Sequence, residues 1–204
     1  MGRLRLGLAV ALAGALACND AGGPPPDGLP RAQLSFVVQD STYKPLLAAR
    51  DSFWARVGSD RQIRLFYQGN TPTDTGPEFL RFEVANDALL RRPDGSAFGP
   101  NDSILITVTV VDPKQFWFDF KPSGLQFNPD RPARLKVRYE YAQHDFDRNG
   151  TIDSADAEIE GRLDLWQREP PDTLWFRVVG AVKFEELDEF DANLFSFSQY
   201  AVAW

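Results

Sequence analysis

The sequence predicts an all-β protein: an antiparallel β-sandwich of immunoglobulin-like layout, with one short helix behind an aspartate-rich loop. Three features of the chain carry that expectation. Short segments alternate apolar and polar side chains with period 2, the pattern of strands buried on one face. Gly, Pro, Asn and Asp cluster between those segments, where hairpins and corners need them. No helical repeat runs long enough for a bundle or a coiled coil.

The strands follow in order. Residues 61–67 alternate Ile63, Leu65 and Tyr67, and residues 78–84 alternate Leu80, Phe82 and Val84. Residues 103–112 place Ile104, Ile106, Val108 and Val110 on one face, with Leu105 and Val111 on the other. Residues 134–139 alternate Leu135, Val137 and Tyr139. Gly69-Asn70, Asp94-Gly95, Pro113 and Pro122-Ser123-Gly124 stand between them as turns. Residues 163–168 and 174–179 flank Glu169-Pro170-Pro171-Asp172 as a hairpin, and 190–194 and 199–203 close the chain as strands. About nine or ten short strands at this spacing indicate a sandwich.

The first residues set the compartment. Arg3 and Arg5 precede the apolar run 6–16. That run is too short for a bilayer, which takes about 20 helical residues, and has the layout of an export signal. With Gly14 just before it, Ala15-Leu16-Ala17-Cys18 resembles the lipobox of bacterial lipoproteins, although Ala15 stands where Leu is commonest. The resemblance implies cleavage before Cys18, a diacylglyceryl group on its sulfur and acylation of its amine. Cys18 is the sole cysteine of the chain, so it is the expected lipidation site, and no disulfide framework can form. Asn19 in the next position points, by the enterobacterial sorting rule, to the outer membrane. The expected division is a lipoprotein signal peptide over 1–17, a lipid-anchored Gly/Pro-rich tether over 18–30, and a β-sandwich domain over 31–204. The expected location is the bacterial cell envelope, with membrane contact through the lipid alone.

The formal charge is −7, and losing Arg3 and Arg5 with the signal makes it more negative still. An acidic body lacks the basic patch that nucleic acid requires. Residues 185–191 (EELDEFD) form one acidic cluster, expected to be a solvated strand face with Leu187 and Phe190 turned inward.

The other acidic cluster names a ligand. Residues 145–156 read DFDRNGTIDSAD. Asp145, Asp147, Asn149, Thr151, Asp153 and Asp156 fall at positions 1, 3, 5, 7, 9 and 12 of a twelve-residue calcium loop. Gly150 sits at position 6, where the chain turns sharply, and Ile152 at position 8 is expected to point to the core. The bland alternative is an aspartate-rich turn, but every ligand position, the glycine and the apolar residue agree with Ca2+. A short amphipathic helix should follow, over 154–162, with Ala155, Ile159 and Leu163 at i, i+4, i+8 on its apolar face and Asp153 or Ser154 as cap. A strand leads in and a helix leads out, which resembles the dockerin type of calcium loop more than a two-helix EF-hand. Asp at position 12 points the same way. Dockerins carry two such loops and bind cohesin with both helices; with one loop here, the resemblance implies metal ligation and not cohesin binding. A single loop has no partner loop to signal with, so it is read as a structural staple of modest affinity, about 10⁻⁵–10⁻³ M.

The body carries a second likeness. Phe118-x-Phe120-x-Pro122-Ser123-Gly124-Leu125-x-Phe127-x-Pro129, then Pro132-Ala133 and Leu135-x-Val137-x-Tyr139, resembles the ZU-type β-sandwich of netrin receptors, ankyrins and bacterial surface proteins. The ending Phe197-Ser198-Gln199-Tyr200-Ala201-Val202 is similar to the close of the bacterial versions. That resemblance implies a non-catalytic interaction or structural module, with an envelope protein or a glycan as partner.

No catalytic constellation stands out. His144 is the single histidine and adjoins the calcium loop, and a Ser-His-Asp triad would have to recruit it. The runner-up reading is a carbohydrate-directed protein, either a binder or a glycoside hydrolase using two carboxyls. The tryptophans (54, 117, 166, 175 and 204) are expected in the core and at the sandwich ends, with 116–118 the place where aromatics could reach the surface. A small outer-membrane barrel is disfavoured, since the strands are short and charged residues lie along them.

Overall fold

The computed structural model describes residues 28–204 and shows antiparallel sheets around one main core. The expected signal peptide, the lipidation site Cys18 and most of the expected tether lie outside the described residues. In chain order the first strands are β1 (Leu29–Pro30), β2 (Arg50–Arg56), β3 (Arg61–Gln68), β4 (Thr75–Val84) and β5 (Leu89–Arg91). There follow β6 (Ser103–Val110), β7 (Trp117–Lys121), β8 (Gln126–Phe127) and β9 (Ala133–Arg138). After helix α1 (Ser154–Gly161) come β10 (Asp164–Arg168), β11 (Leu174–Arg177), β12 (Val182–Phe184), β13 (Glu189–Leu194) and β14 (Gln199–Ala203).

A seven-stranded sheet runs β1-β11-β10-β14-β7-β6-β2, and a five-stranded sheet runs β12-β13-β9-β4-β3. β5 and β8 form a separate ribbon. The expected β-sandwich is therefore present, built from antiparallel pairs throughout. Its core is where period 2 puts it. Ile63, Leu65 and Tyr67 of β3, Leu135 and Val137 of β9, and Ile106, Val108 and Val110 of β6 are all buried. Phenylalanines lock the sheets together: Phe82 meets Phe120 at 5.1 Å between ring centroids, and Phe79 meets Phe118 at 5.6 Å. Each fully buried side chain of this size contributes about 1.5–3 kcal/mol.

Several elements exceed the expectation. Strands of two or three residues are too short to show an alternation. β2 was invisible because it is an edge strand whose alternate residues, Ser52, Trp54 and Arg56, face outward, and only Ala55 is buried. Leu29 pairs with Trp175 and Pro30 with Leu174, so the last two residues of the expected tether pair with β11.

The segment after β1 builds a second, smaller core. Leu34 and Phe36 pack on Trp166, Trp175, Ala201 and Ala203, with Trp117 at the margin. Phe36 stands edge-on to Trp117 and Trp175, and the Arg31 guanidinium caps the Phe36 ring at 3.6 Å. Phe116 and Phe118 are buried, so residues 116–118 do not present a free aromatic patch. The tryptophan that reaches solvent is Trp54, 62 % exposed, directly opposite Leu105 on β6.

Candidate metal centre

β9 delivers the chain to the 145–156 loop, and α1 carries it away, as the sequence predicts. Gly150 adopts φ +92°, a left-handed turn that glycine takes without strain. The helix begins at position 10 of the loop, with its cap at position 9. Asp153 is its N-cap, accepting from Ala155 N–H at 2.8 Å, and Asp156 reaches back to accept from Asp153 N–H at 3.0 Å. This capping box uses two of the expected ligands to fix the loop's exit.

Asp156 is the organising residue. It is 2 % exposed, and Oδ1 accepts the N–H of Phe146 at 2.6 Å and of Asp147 at 3.2 Å. The Asp153 N–H holds its carboxyl below the usual range, and the Asp147 and Phe146 N–H groups add to that against desolvation. Asp145 takes Asn149 N–H and Gly150 N–H, both at 3.0 Å, and Asp147 takes Asn149 N–H at 3.0 Å. Asn149 Oδ1 accepts from the backbone and hydroxyl of Thr151.

The structure thus brings Asp145, Asp147 and Asp156 together: one carboxylate oxygen of each lies within 4.8 Å of the other two. Oxygens bound 2.3–2.6 Å from one calcium lie at most about 5 Å apart, so this spacing fits a single ion. Asn149, Thr151 and Asp153 line the same turn, with their side chains engaged in the loop's own hydrogen bonds. The donors are all hard oxygens, which suit Ca2+ or Mg2+ and not a soft metal. Among the described residues, no Lys or Arg pairs with any of the loop's carboxylates.

Two expectations about the loop's packing need correction. Ile152 is 73 % exposed and does not enter the core. A lone loop has no second loop across from position 8 to cover that side chain. The inward residue is instead Phe146 at position 2, buried against Trp204 and flanked by His144. Likewise the inner face of α1 presents Asp156 and Ile159, not Ala155, because position 12 must turn back into the loop.

The 185–191 cluster is also built differently from the expectation. Residues Glu185–Leu187 form a 3-10 turn with Leu187 exposed, while Phe190 is buried as expected. Glu189 is buried and carries two ion pairs, to Lys136 at 2.5 Å and Arg138 at 3.1 Å. Burial works against its charge, but the hydrogen bonds from Lys136 and Arg138 outweigh that and leave its pKa lowered. The clue lay in the alternation of Arg134, Lys136 and Arg138 along β9, outward and opposite β13.

Elsewhere, an open cleft of about 570 Å³ is lined by Asp60, Arg61, Glu83 and Arg134, among others. Asp60 is exposed and Glu83 only partly buried, unlike the shielded acid that glycoside hydrolysis uses. No protein-family model matches the chain, and none of the curated proteins or solved structures compared with it matches either. Fold and site together define an antiparallel β-sandwich protein with one candidate cation loop.

Proposed function

We propose that this is a lipid-anchored protein of the bacterial cell envelope, a non-catalytic binding or structural module whose sandwich is fastened by one Ca2+. The observation that carries the calcium reading is the convergence of Asp145, Asp147 and Asp156 without a neutralising Lys or Arg among the described residues. Three like charges held this close favour a cation between them, and the helix cap and the backbone donors to buried Asp156 orient them for it. In a domain with no disulfide to help it, a metal that binds only the folded state raises stability by mass action.

Calcium at about 100 times its dissociation constant should add ~2.7 kcal/mol, a rise in Tm of about 5–10 °C for a body of this size. The double variant Asp145→Asn, Asp147→Asn should show no such rise, while melting in chelator at least as high as the parent, since it carries less repulsion. A parent whose melting ignores both chelator and millimolar calcium sinks the reading. The anchor rests on the sequence alone. Metabolic labelling with a lipid precursor should mark the parent and fail with Cys18→Ala; equal labelling of both would remove it.

A further inference from the structure

Residues 31–38, the 145–156 loop, α1 and the end of β14 meet around an open groove of about 540 Å³. That volume lies within the range of pre-formed ligand sites, about 300–1,000 Å³. Its floor is apolar: Phe36, Phe146 and Ile159 line it and are otherwise buried. Trp204 is a half-buried wall, edge-on to Phe146 at 5.7 Å and tied to Ser35 by a backbone hydrogen bond in each direction, at 3.1 and 3.2 Å. The lining is held by the sheet and its backbone bonds, so a ligand would meet a surface that is already ordered.

Two cations line the same groove, Arg31 ahead of the sheet and Arg148 on the loop. The Arg31 guanidinium lies 3.6 Å from the centre of the Phe36 ring and donates to Leu34 O at 2.9 Å, which fixes its position. Burial lowers its pKa. Among the described residues neither guanidinium has an ion-pair partner. On the five-stranded sheet, by contrast, Arg81, Arg134, Lys136 and Arg138 are all paired. The one carboxylate on the lining is Asp147, which accepts the N–H of Asn149. Gln115 also lines the groove, and its side-chain Oε1 is shielded from water and accepts no hydrogen bond among the described residues. A buried acceptor in that state is completed by a donor from outside.

We propose that this groove binds an acidic peptide segment of a partner protein, with an apolar side chain on the aromatic floor, carboxylates on Arg31 and Arg148, and a backbone N–H given to Gln115. A guanidinium takes a carboxylate through two parallel N–H bonds, and in a partly desolvated groove that contact is stronger than at an open surface. The remaining groups select among anions. Inorganic phosphate would leave the apolar floor unused. A fatty acid offers a carboxylate and a chain but no N–H donor for Gln115. Nucleic acid takes a longer run of cations than two in a chain of formal charge −7. The inference rests on the binding-module reading above, to which it gives a partner class, and on neither the calcium nor the lipid anchor.

Calorimetric titration of the full chain with a set of blocked peptides tests this, each peptide placing leucine, isoleucine, methionine, phenylalanine or tryptophan between two aspartates. At least one should bind, and its asparagine counterpart should bind about a hundredfold more weakly. Arg148→Gln and Arg31→Gln should each weaken the same peptide about tenfold. Arg148 is exposed on the loop, so its variant reads the anion contact with the fold intact; Arg31→Gln also leaves the Phe36 ring and is read beside its melting curve. No binding by any peptide overturns the proposal, as does binding that the asparagine peptides and the Arg148→Gln variant retain in full. Binding of decanoate or of phosphatidylglycerol vesicles in place of the peptides overturns it in favour of a lipid. A parent that binds no peptide but still melts higher in calcium loses the groove and keeps the metal loop.

Discussion

Residues 145–156 hold four carboxylates and residues 185–191 hold five, so along the chain the two stretches look alike. In space they differ in what neutralises them. On β13, Glu189 stands opposite Arg138 and Asp191 opposite Lys136 in direct cross-strand pairs, and Arg134 reaches Asp191 at 2.7 Å. The protein supplies those cations itself, from alternate positions of one neighbouring strand. At the 145–156 loop, by contrast, the partners are backbone N–H groups, and among the described residues no basic side chain joins them. Backbone donors can orient carboxylates, but they carry no net charge to offset three of them. An acidic cluster facing a basic strand is neutralised within the fold; one facing only amides is not, which is why the external cation is proposed for the 145–156 loop.

The strongest way to break this contrast is to remove the internal cations. Lys136→Met with Arg138→Met leaves Glu189 buried and unpaired, and losing the partners of a buried charge costs about 3–5 kcal/mol. Urea unfolding should show that loss equally with and without calcium, because the Glu189 ion pairs and the 145–156 loop are separate sites. If calcium stabilised the double variant more than it stabilises the parent, the two clusters would be one electrostatic unit and the comparison would fall. The calcium response proposed for the loop, ~2.7 kcal/mol at about 100 times the dissociation constant, is the smaller of the two and should be unaffected by these substitutions.

How much of this was legible follows from which interactions are local. The converging carboxylates, the glycine turn and the helix cap all lie within residues 145–156, so spacing alone located them. The core strands β3, β4, β6 and β9 were legible because each has one face on a single core. Ile152 misled because its burial depends on a partner loop, which spacing within one loop cannot reveal. Glu189 misled because its fate is decided by β9, more than fifty residues earlier. The packing of Leu34 and Phe36 over Trp166 and Trp175 was hidden for the same reason. Leu34 and Phe36 look like loop residues until β10, β11 and β14 bring the indoles to one face.

The smallest effect is also the one that separates the clusters by sign of pH response. Glu189 has a folded pKa below its unfolded value, so its contribution is complete above the usual glutamate range, about 4.3. That contribution is lost as pH falls through the lowered folded value. Next to it, burial raises the Asp188 carboxyl, so Asp188 works the other way: the folded state gains from its protonation as pH drops. Glu189→Gln removes the first term and keeps the second. Chemical denaturation of that variant between pH 6 and 3, in chelator throughout, should therefore give a shallower acid decline than the parent, by less than one proton's worth of slope. A decline as steep as the parent's would mean that Lys136 and Arg138 do not set the charge of Glu189.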